Sequence, residues 1–257
     1  MNICVYIIYH LFDLNFDKLN LNHLNFCNMF DKNVENLPPN ITNLTFGLWF
    51  NQPVENLPQN LTNLTFGRDF NKNVDNLPPN IKNLTFGYIF NQHINNLPQT
   101  LQTLKFGYCF NKCVDNLPQA LQTLTFGHCF NQNVNNLPIR ILNLTFGNNF
   151  NQLIDNLPCS LVNLYIGNKF NQQLDNLPYT LISLNFVCCY YIEDFIFNKQ
   201  LNCLPNTICK IRLHANYDQE IKVLPLNIKI IICHDEYKYI EKLETNTLND
   251  LRIYCYL

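Results

Sequence analysis

Apolar and polar positions along this chain recur every twenty residues. The unit that begins at Phe50 reads Phe50-Asn51-x-x-Val54-x-Asn56-Leu57-Pro58-x-x-Leu61-x-x-Leu64-x-Phe66-Gly67-x-x, and Phe30, Phe70, Phe90, Phe110, Phe130, Phe150 and Phe170 open further copies. A fixed period of this length marks a solenoid, in which each unit buries its apolar face only against its neighbours. Leu61-x-x-Leu64-x-Phe66 ends in alternation, which predicts a short strand with one buried face. Leu57-Pro58 predicts an extended back, because proline fixes φ, removes a donor and biases its predecessor toward extended geometry. Twenty residues leave no room for a helix once strand and corners are subtracted. The back is therefore expected to be extended or a single 3₁₀ turn.

The pattern can be followed beyond its clean copies. Leu21/Leu24/Phe26 precede Ile41/Leu44/Phe46 by one period, with Asp17-Lys18 where Leu-Pro would stand. After Leu181/Leu184/Phe186 the phase slips by seven residues and resumes at Ile208/Ile211/Leu213, Ile228/Ile231/Cys233 and Leu248/Leu251/Ile253. Leu204-Pro205, Leu224-Pro225, Phe197, Tyr217 and Tyr237 keep the shifted frame. The count is about twelve turns, divided as a degenerate N-terminal cap turn (1–29), regular repeats (30–186), a loop insertion (187–196) and degenerate C-terminal repeats with a cap (197–257). Met1 to Phe12 is apolar but lacks a basic segment and is too short to span a bilayer, so it is read as a strand-like end.

Each column of the repeat has an expected task. The Phe50, Val54, Leu57, Leu61, Leu64 and Phe66 columns fill the interior, each large side chain contributing about 1.5 to 3 kcal/mol on full burial. Gly67 and its counterparts imply an unusual φ or a tight corner after the strand. The Asn51 and Asn56 columns are expected to be structural ladders, since an amide both donates and accepts. Glu35, Glu55, Asp75, Asp115, Asp155 and Asp175 make an acidic column expected to face solvent.

These columns resemble the FNIP repeat, as Phe130-Asn131-Gln132-Asn133-Val134 through Phe146-Gly147 illustrates. FNIP repeats occur in proteins of social amoebae and of giant viruses that infect amoebae, and are related to leucine-rich repeats. The resemblance is strong over about 30–187 and weaker over 197–253, and the usual unit is about two residues longer before its Leu-Pro. It implies a mainly β, single leucine-rich-repeat-like solenoid of about twelve turns, with short parallel strands on one face and extended or 3₁₀ segments on the other. It also implies substrate-receptor roles in ubiquitin ligases, where family members carry an F-box in front. Here only the residues before Phe30 precede the repeats, and no complete F-box fits them.

Composition narrows the function classes. Asn supplies 45 residues and charged residues only 14%, so amides carry much of the solubility. A net charge of −2 gives no long-range attraction for nucleic acid or an anionic membrane. The twelve cysteines are scattered rather than spaced as a disulfide framework, which suits reduced thiols in the cytoplasm (the host cytoplasm if the protein is viral). The six histidines form no metalloprotease pattern, and two serines with no Gly-x-Ser-x-Gly give no serine nucleophile. Seven glycines, all in one column, leave no phosphate-binding loop. Cys109 and Cys129 share a column near Cys113 and His128, close enough for a metal or a disulfide. Chance placement in a cysteine-rich chain explains them better, as it does Cys188-Cys189. No enzyme, cofactor or metal is expected.

Recognition is expected where the repeat leaves residues free. The pair after each glycine contains Trp49, Tyr88, Tyr108 and His128, read as an aromatic stripe able to bind a protein partner. The expected function is a non-catalytic scaffold that recruits a protein along one solenoid face. The alternative is a structural or self-associating repeat protein without a specific ligand.

Overall fold

The computed structural model describes residues 5–7, 21–186, 195–244 and 250–256. They fall into two units, Met1–Gly127 and His128–Leu257. In the first, β1 (Val5–Ile7), β2 (His23–Phe26), β3 (Asn43–Thr45), β4 (Asn63–Thr65), β5 (Asn83–Thr85), β6 (Thr103–Lys105) and β7 (Thr123–Thr125) lie side by side in chain order. All pair in parallel, and Leu44, Leu64, Leu84, Leu104 and Leu124 follow one another in register. The twenty-residue period is thus one turn of a parallel β-solenoid. Leu24 pairs with Leu44 on one side and with Val5 on the other, so the N-terminal segment does supply a strand. Asp17-Lys18 lies outside the described residues.

In the second unit, β8 (Asn143–Thr145), β9 (Asn163–Ile166), β10 (Ser183–Phe186), β11 (Lys210–Arg212), β12 (Ile230–His234) and β13 (Arg252–Tyr256) are parallel and again ordered as in the chain. Leu184 faces Ile211, which carries the seven-residue slip. Most of the insertion that holds it lies outside the described residues, but Phe195 is buried and the Ile196 N–H donates to the Asn168 carbonyl at 3.1 Å. The last turn departs from the sequence reading. Ile231 faces Ile253, not Leu251, and Cys233 faces Cys255, not Ile253. A short helix, α1 (Ile240–Glu244), occupies the back of that turn. Helix advances about 1.5 Å per residue against about 3.3 Å for extended chain, so more residues are needed to return to the sheet.

Between strands the chain runs extended and bends at tight corners. One such turn follows each Leu-Pro, where the Leu61 N–H donates to the Pro58 carbonyl at 3.2 Å, as Leu101 does to Pro98. The interior holds the expected columns. In the first unit Phe66 stacks on Phe70 of its own turn at 3.7 Å between ring centroids, and Phe50 lies 6.1 Å from Phe70 of the next. The same rows run through Phe150, Phe170, Phe197, Tyr217 and Tyr237 in the second unit.

The glycine column has a steric cause. A Cβ on Gly67 would overlap the carbonyl of Gly47, and one on Gly107 that of Gly87. Successive turns touch backbone to backbone there, so only hydrogen fits.

Candidate interaction surfaces

What the repeat uses for itself must be removed before a surface can be read. The Asn51 column is a ladder, as expected: the N–H of Asn71 donates to Asn51 Oδ1 at 2.9 Å, and Asn171 repeats this on Asn151 at 2.8 Å. The Asn56 column is different. Its residues are exposed, and they reach back to the acidic column, as from Asn176 Nδ2 to Asp155 Oδ1 at 3.2 Å. Asp75 closes a local loop with Asn73, whose Oδ1 accepts the Asp75 N–H at 2.7 Å.

Two further ladders were not anticipated. On the strand face Asn63 Nδ2 donates to Asn43 Oδ1, and Asn83 Nδ2 to Asn63 Oδ1, each at 2.6 Å. At the corner before the strand, Asn60 Nδ2 donates to the Pro39 carbonyl at 3.0 Å, and the Thr180 hydroxyl to the Cys159 carbonyl at 2.8 Å. Apart from Ala120 and Arg140 at the corner, both columns hold small polar residues in the regular copies, which is the signal that could have exposed them.

In the first unit one corner remains. Among the unit's described residues the exposed large apolar side chains are Met29, Leu48, Trp49, Tyr88 and Tyr108, and all five stand at the two positions after the glycine column. Trp49 is 50% exposed. The backbone there is fixed by turn-to-turn bonds, such as Trp49 N–H to the Asn28 carbonyl at 2.9 Å and Cys109 N–H to the Tyr88 carbonyl at 2.9 Å. Tyr88 and Tyr108 stack at 4.6 Å with 9° between their planes. The Arg68 guanidinium lies 5.9 Å from the Tyr88 ring centroid and 3.7 Å from the Asp69 carboxylate. Trp49 belongs to the second position of the pair and Tyr88 and Tyr108 to the first, so the aromatic residues occupy two adjacent columns. His128, the fourth expected member, is a half-buried residue of the second unit.

The second unit exposes apolar side chains elsewhere. Ile139 and Tyr179 stand at the corner before the strand, and Leu142 and Ile182 at the position leading into it. The first unit has Gln59, Gln99 and Gln119 at the one position and Thr62, Lys82, Gln102 and Gln122 at the other. This patch was missed because those columns look unconstrained in the regular copies.

The remaining candidate chemistry is structural. His214 is buried with its ring 4.5 Å from that of Phe195; Nε2 donates to the Phe197 carbonyl at 2.7 Å and Nδ1 accepts the Asn216 N–H at 3.1 Å. Burial lowers its pKa to about 4, against a smaller opposing effect of the Phe197 carbonyl. Cys109 and Cys113 are free thiols, and a hydrogen bond to the Asp115 carboxylate at 2.8 Å raises the Cys113 pKa. Cys188-Cys189 lies outside the described residues. Among the described residues no three or more His, Cys, Asp or Glu side chains are grouped to hold a metal, and no helix is long and apolar enough to cross a membrane.

Comparison with known proteins agrees with this architecture. The crystal structure of CroV588, a giant-virus protein described as a novel circular LRR protein structure, is 40% identical with a TM-score of 0.71. That match covers 83% of this chain and 37% of the other, so the chain spans well under half of its neighbour's length. The pneumococcal vaccine antigen PcpA, at 11% identity and a TM-score of 0.19 over 92% of this chain and 80% of that one, is too unlike to carry an argument. No curated protein matches. The family model of the FNIP repeat matches residues 50–76, 70–109, 93–129, 130–169 and 150–189, which together exceed half of the sequence. With that coverage, and with the leucine-rich-repeat-like solenoid just described, the chain belongs to the FNIP-repeat family.

Proposed function

We propose that this protein is a non-catalytic interaction scaffold that recruits a protein partner through the corner of its first unit. The observation that carries this reading is the gathering of Met29, Leu48, Trp49, Tyr88 and Tyr108, the exposed large apolar side chains among the unit's described residues, on a single corner. Exposed apolar groups scattered singly need no explanation, whereas a set gathered along one corner of a rigid frame marks a binding surface. Tyr and Trp suit such a role because they bring large contact area with few rotatable bonds. The frame holds them without induced order, since each turn of the corner is tied to the next through its backbone. The free thiols of Cys109, Cys113, Cys159 and Cys203 favour a reducing compartment, and we place the protein in the cytoplasm on that ground.

The test is affinity capture from an amoebal lysate with the wild type and a Trp49→Ala/Tyr88→Ala/Tyr108→Ala variant. A defined partner retained by the first and lost by the second is expected. Equal capture by both removes the corner from the reading. Light scattering on the purified chain supplies the other arm: a dimer that dissociates in the triple variant would make the corner a self-association surface.

A further inference from the structure

We infer that the second unit carries a separate docking surface for an amphipathic helix with acidic residues beside its apolar face. The surface is the pair of columns that holds Ile139 and Tyr179 at the corner and Leu142, Val162 and Ile182 beside them. Tyr179 is 84% and Ile139 66% exposed, so the apolar groups project from the surface.

Its geometry is regular. The Val162 N–H donates to the Leu142 carbonyl, Ile182 to Val162 and Cys209 to Ile182, at 2.9, 2.9 and 2.8 Å. These side chains therefore stand just ahead of neighbouring strands about 4.8 Å apart, a row of about 14 Å. One turn of a helix advances about 5.4 Å, so apolar residues at i, i+3 or i+4, and i+7 meet successive rungs over about ten residues of helix. The neighbouring corner is braced beneath its side chains, where the Ser160 hydroxyl donates to the carbonyls of Ile139 and Ile141 at 2.5 and 2.8 Å.

Charge specifies the partner further. Arg140 sits beside Ile139, Lys210 beside Cys209, and Lys229 continues the same backbone ladder through its N–H to the Cys209 carbonyl at 2.8 Å. Residues 139–143, 159–163, 179–183, 206–210 and 226–230 contain no Asp or Glu. Among the described residues Arg140, Lys210 and Lys229 have no acidic partner. An apolar row with uncompensated cations beside it is complementary to an apolar helix face bordered by carboxylates. A bilayer fits less well, because the row is only two columns wide and the next corner carries Asp155 and Asp175.

Selection on the intact chain from a displayed library of random peptides of about 14 residues, long enough for about 20 Å of helix, tests this. Enriched peptides should place apolar residues at helical spacing with Asp or Glu beside them. A synthetic copy of one should lose about tenfold or more in affinity to Tyr179→Glu and to Ile182→Glu, and weaken with Lys210→Glu. Tyr179 is the safer variant because its side chain is almost fully solvated. Binding should be unchanged in the Trp49→Ala/Tyr88→Ala/Tyr108→Ala variant, which separates this surface from the corner of the first unit. No enrichment, enriched peptides without the helical period, or affinity indifferent to both glutamate variants overturns the inference. Sedimentation with phosphatidylserine vesicles that Tyr179→Glu abolishes, in the absence of enriched peptides, assigns the patch to a lipid surface and overturns it as well.

Discussion

The backbone N–H of Asn91 donates to Oδ1 of Asn71 at 2.9 Å, and Gln92 Nε2 donates to the same oxygen at 3.1 Å. What this column requires is an acceptor. Asp31, one of its members, receives the Asn51 N–H at 2.9 Å and Gln52 Nε2 at 2.8 Å through a carboxylate oxygen.

Replacing Asn71 with Ala should therefore cost about 1 to 3 kcal/mol, since it leaves a part-buried N–H without its partner. Asn71→Asp keeps the acceptor and should cost less than about 1 kcal/mol. Urea midpoints for the two variants check this, and equal losses would show that the amide nitrogen matters as much as the oxygen.

The glycine column permits a sharper test. A Cβ at Gly107 would overlap the Gly87 carbonyl, whatever residue supplied it. Gly107→Ala and Gly107→Asn should both cost more than about 3 kcal/mol, beyond ordinary overpacking, because backbone must move. A left-handed turn would behave differently, for Asn tolerates that conformation far better than Ala does. Melting curves by circular dichroism decide it: an Asn variant clearly more stable than the Ala variant would contradict the steric account.

The fold was legible in the sequence wherever a side chain points inward. Leu44, Leu64 and Leu84 recur because each meets its copy in the next turn, so the period, the slip at Leu184–Ile211 and the Phe197–Tyr217–Tyr237 row could be read directly. The final register was not legible. Ile253 looks like a counterpart of Cys233 but faces Ile231, in the turn that contains the helix Ile240–Glu244. Surfaces were legible in part. Trp49, Tyr88 and Tyr108 stand out as large groups at the two free positions after the glycine, whereas Ile139, Leu142, Tyr179 and Ile182 stand in columns that look unconstrained in the regular copies.

Tyr217 and Tyr237 continue a phenylalanine row, and their hydroxyls need partners at its edge. Tyr237 donates to the Gln219 carbonyl at 2.7 Å and Tyr217 to the Lys199 carbonyl at 3.2 Å, while burial raises both phenol pKa values. Tyr237→Phe should keep the ring stack and lose about 1 kcal/mol, the net worth of one hydrogen bond. Tyr217→Phe, with the longer bond, should lose less. The order of their urea midpoints is the measurement, and a Tyr217→Phe loss exceeding that of Tyr237→Phe would disconnect stability from these two bonds.

His214 makes the second unit sensitive to acid. Its Nδ1 accepts the Asn216 N–H and its Nε2 donates to the Phe197 carbonyl, so a second proton would set two donors against each other in a buried site. Burial lowers the folded pKa to about 4, while an unfolded histidine titrates near 6.5. Between these values the unfolded chain binds a proton that the folded chain refuses, so stability falls as pH drops through this window and does not vary with the titration of His214 above it. From pH 7 to pH 4.5 the loss should be about 2 to 3 kcal/mol at about 1.4 kcal/mol per unit. Carboxylates begin to titrate at the lower end, so the wild type is compared with His214→Gln at both pH values. The variant should start less stable and lose about 2 to 3 kcal/mol less on acidification. An identical loss in both proteins would mean that the histidine is protonated in the folded state without penalty.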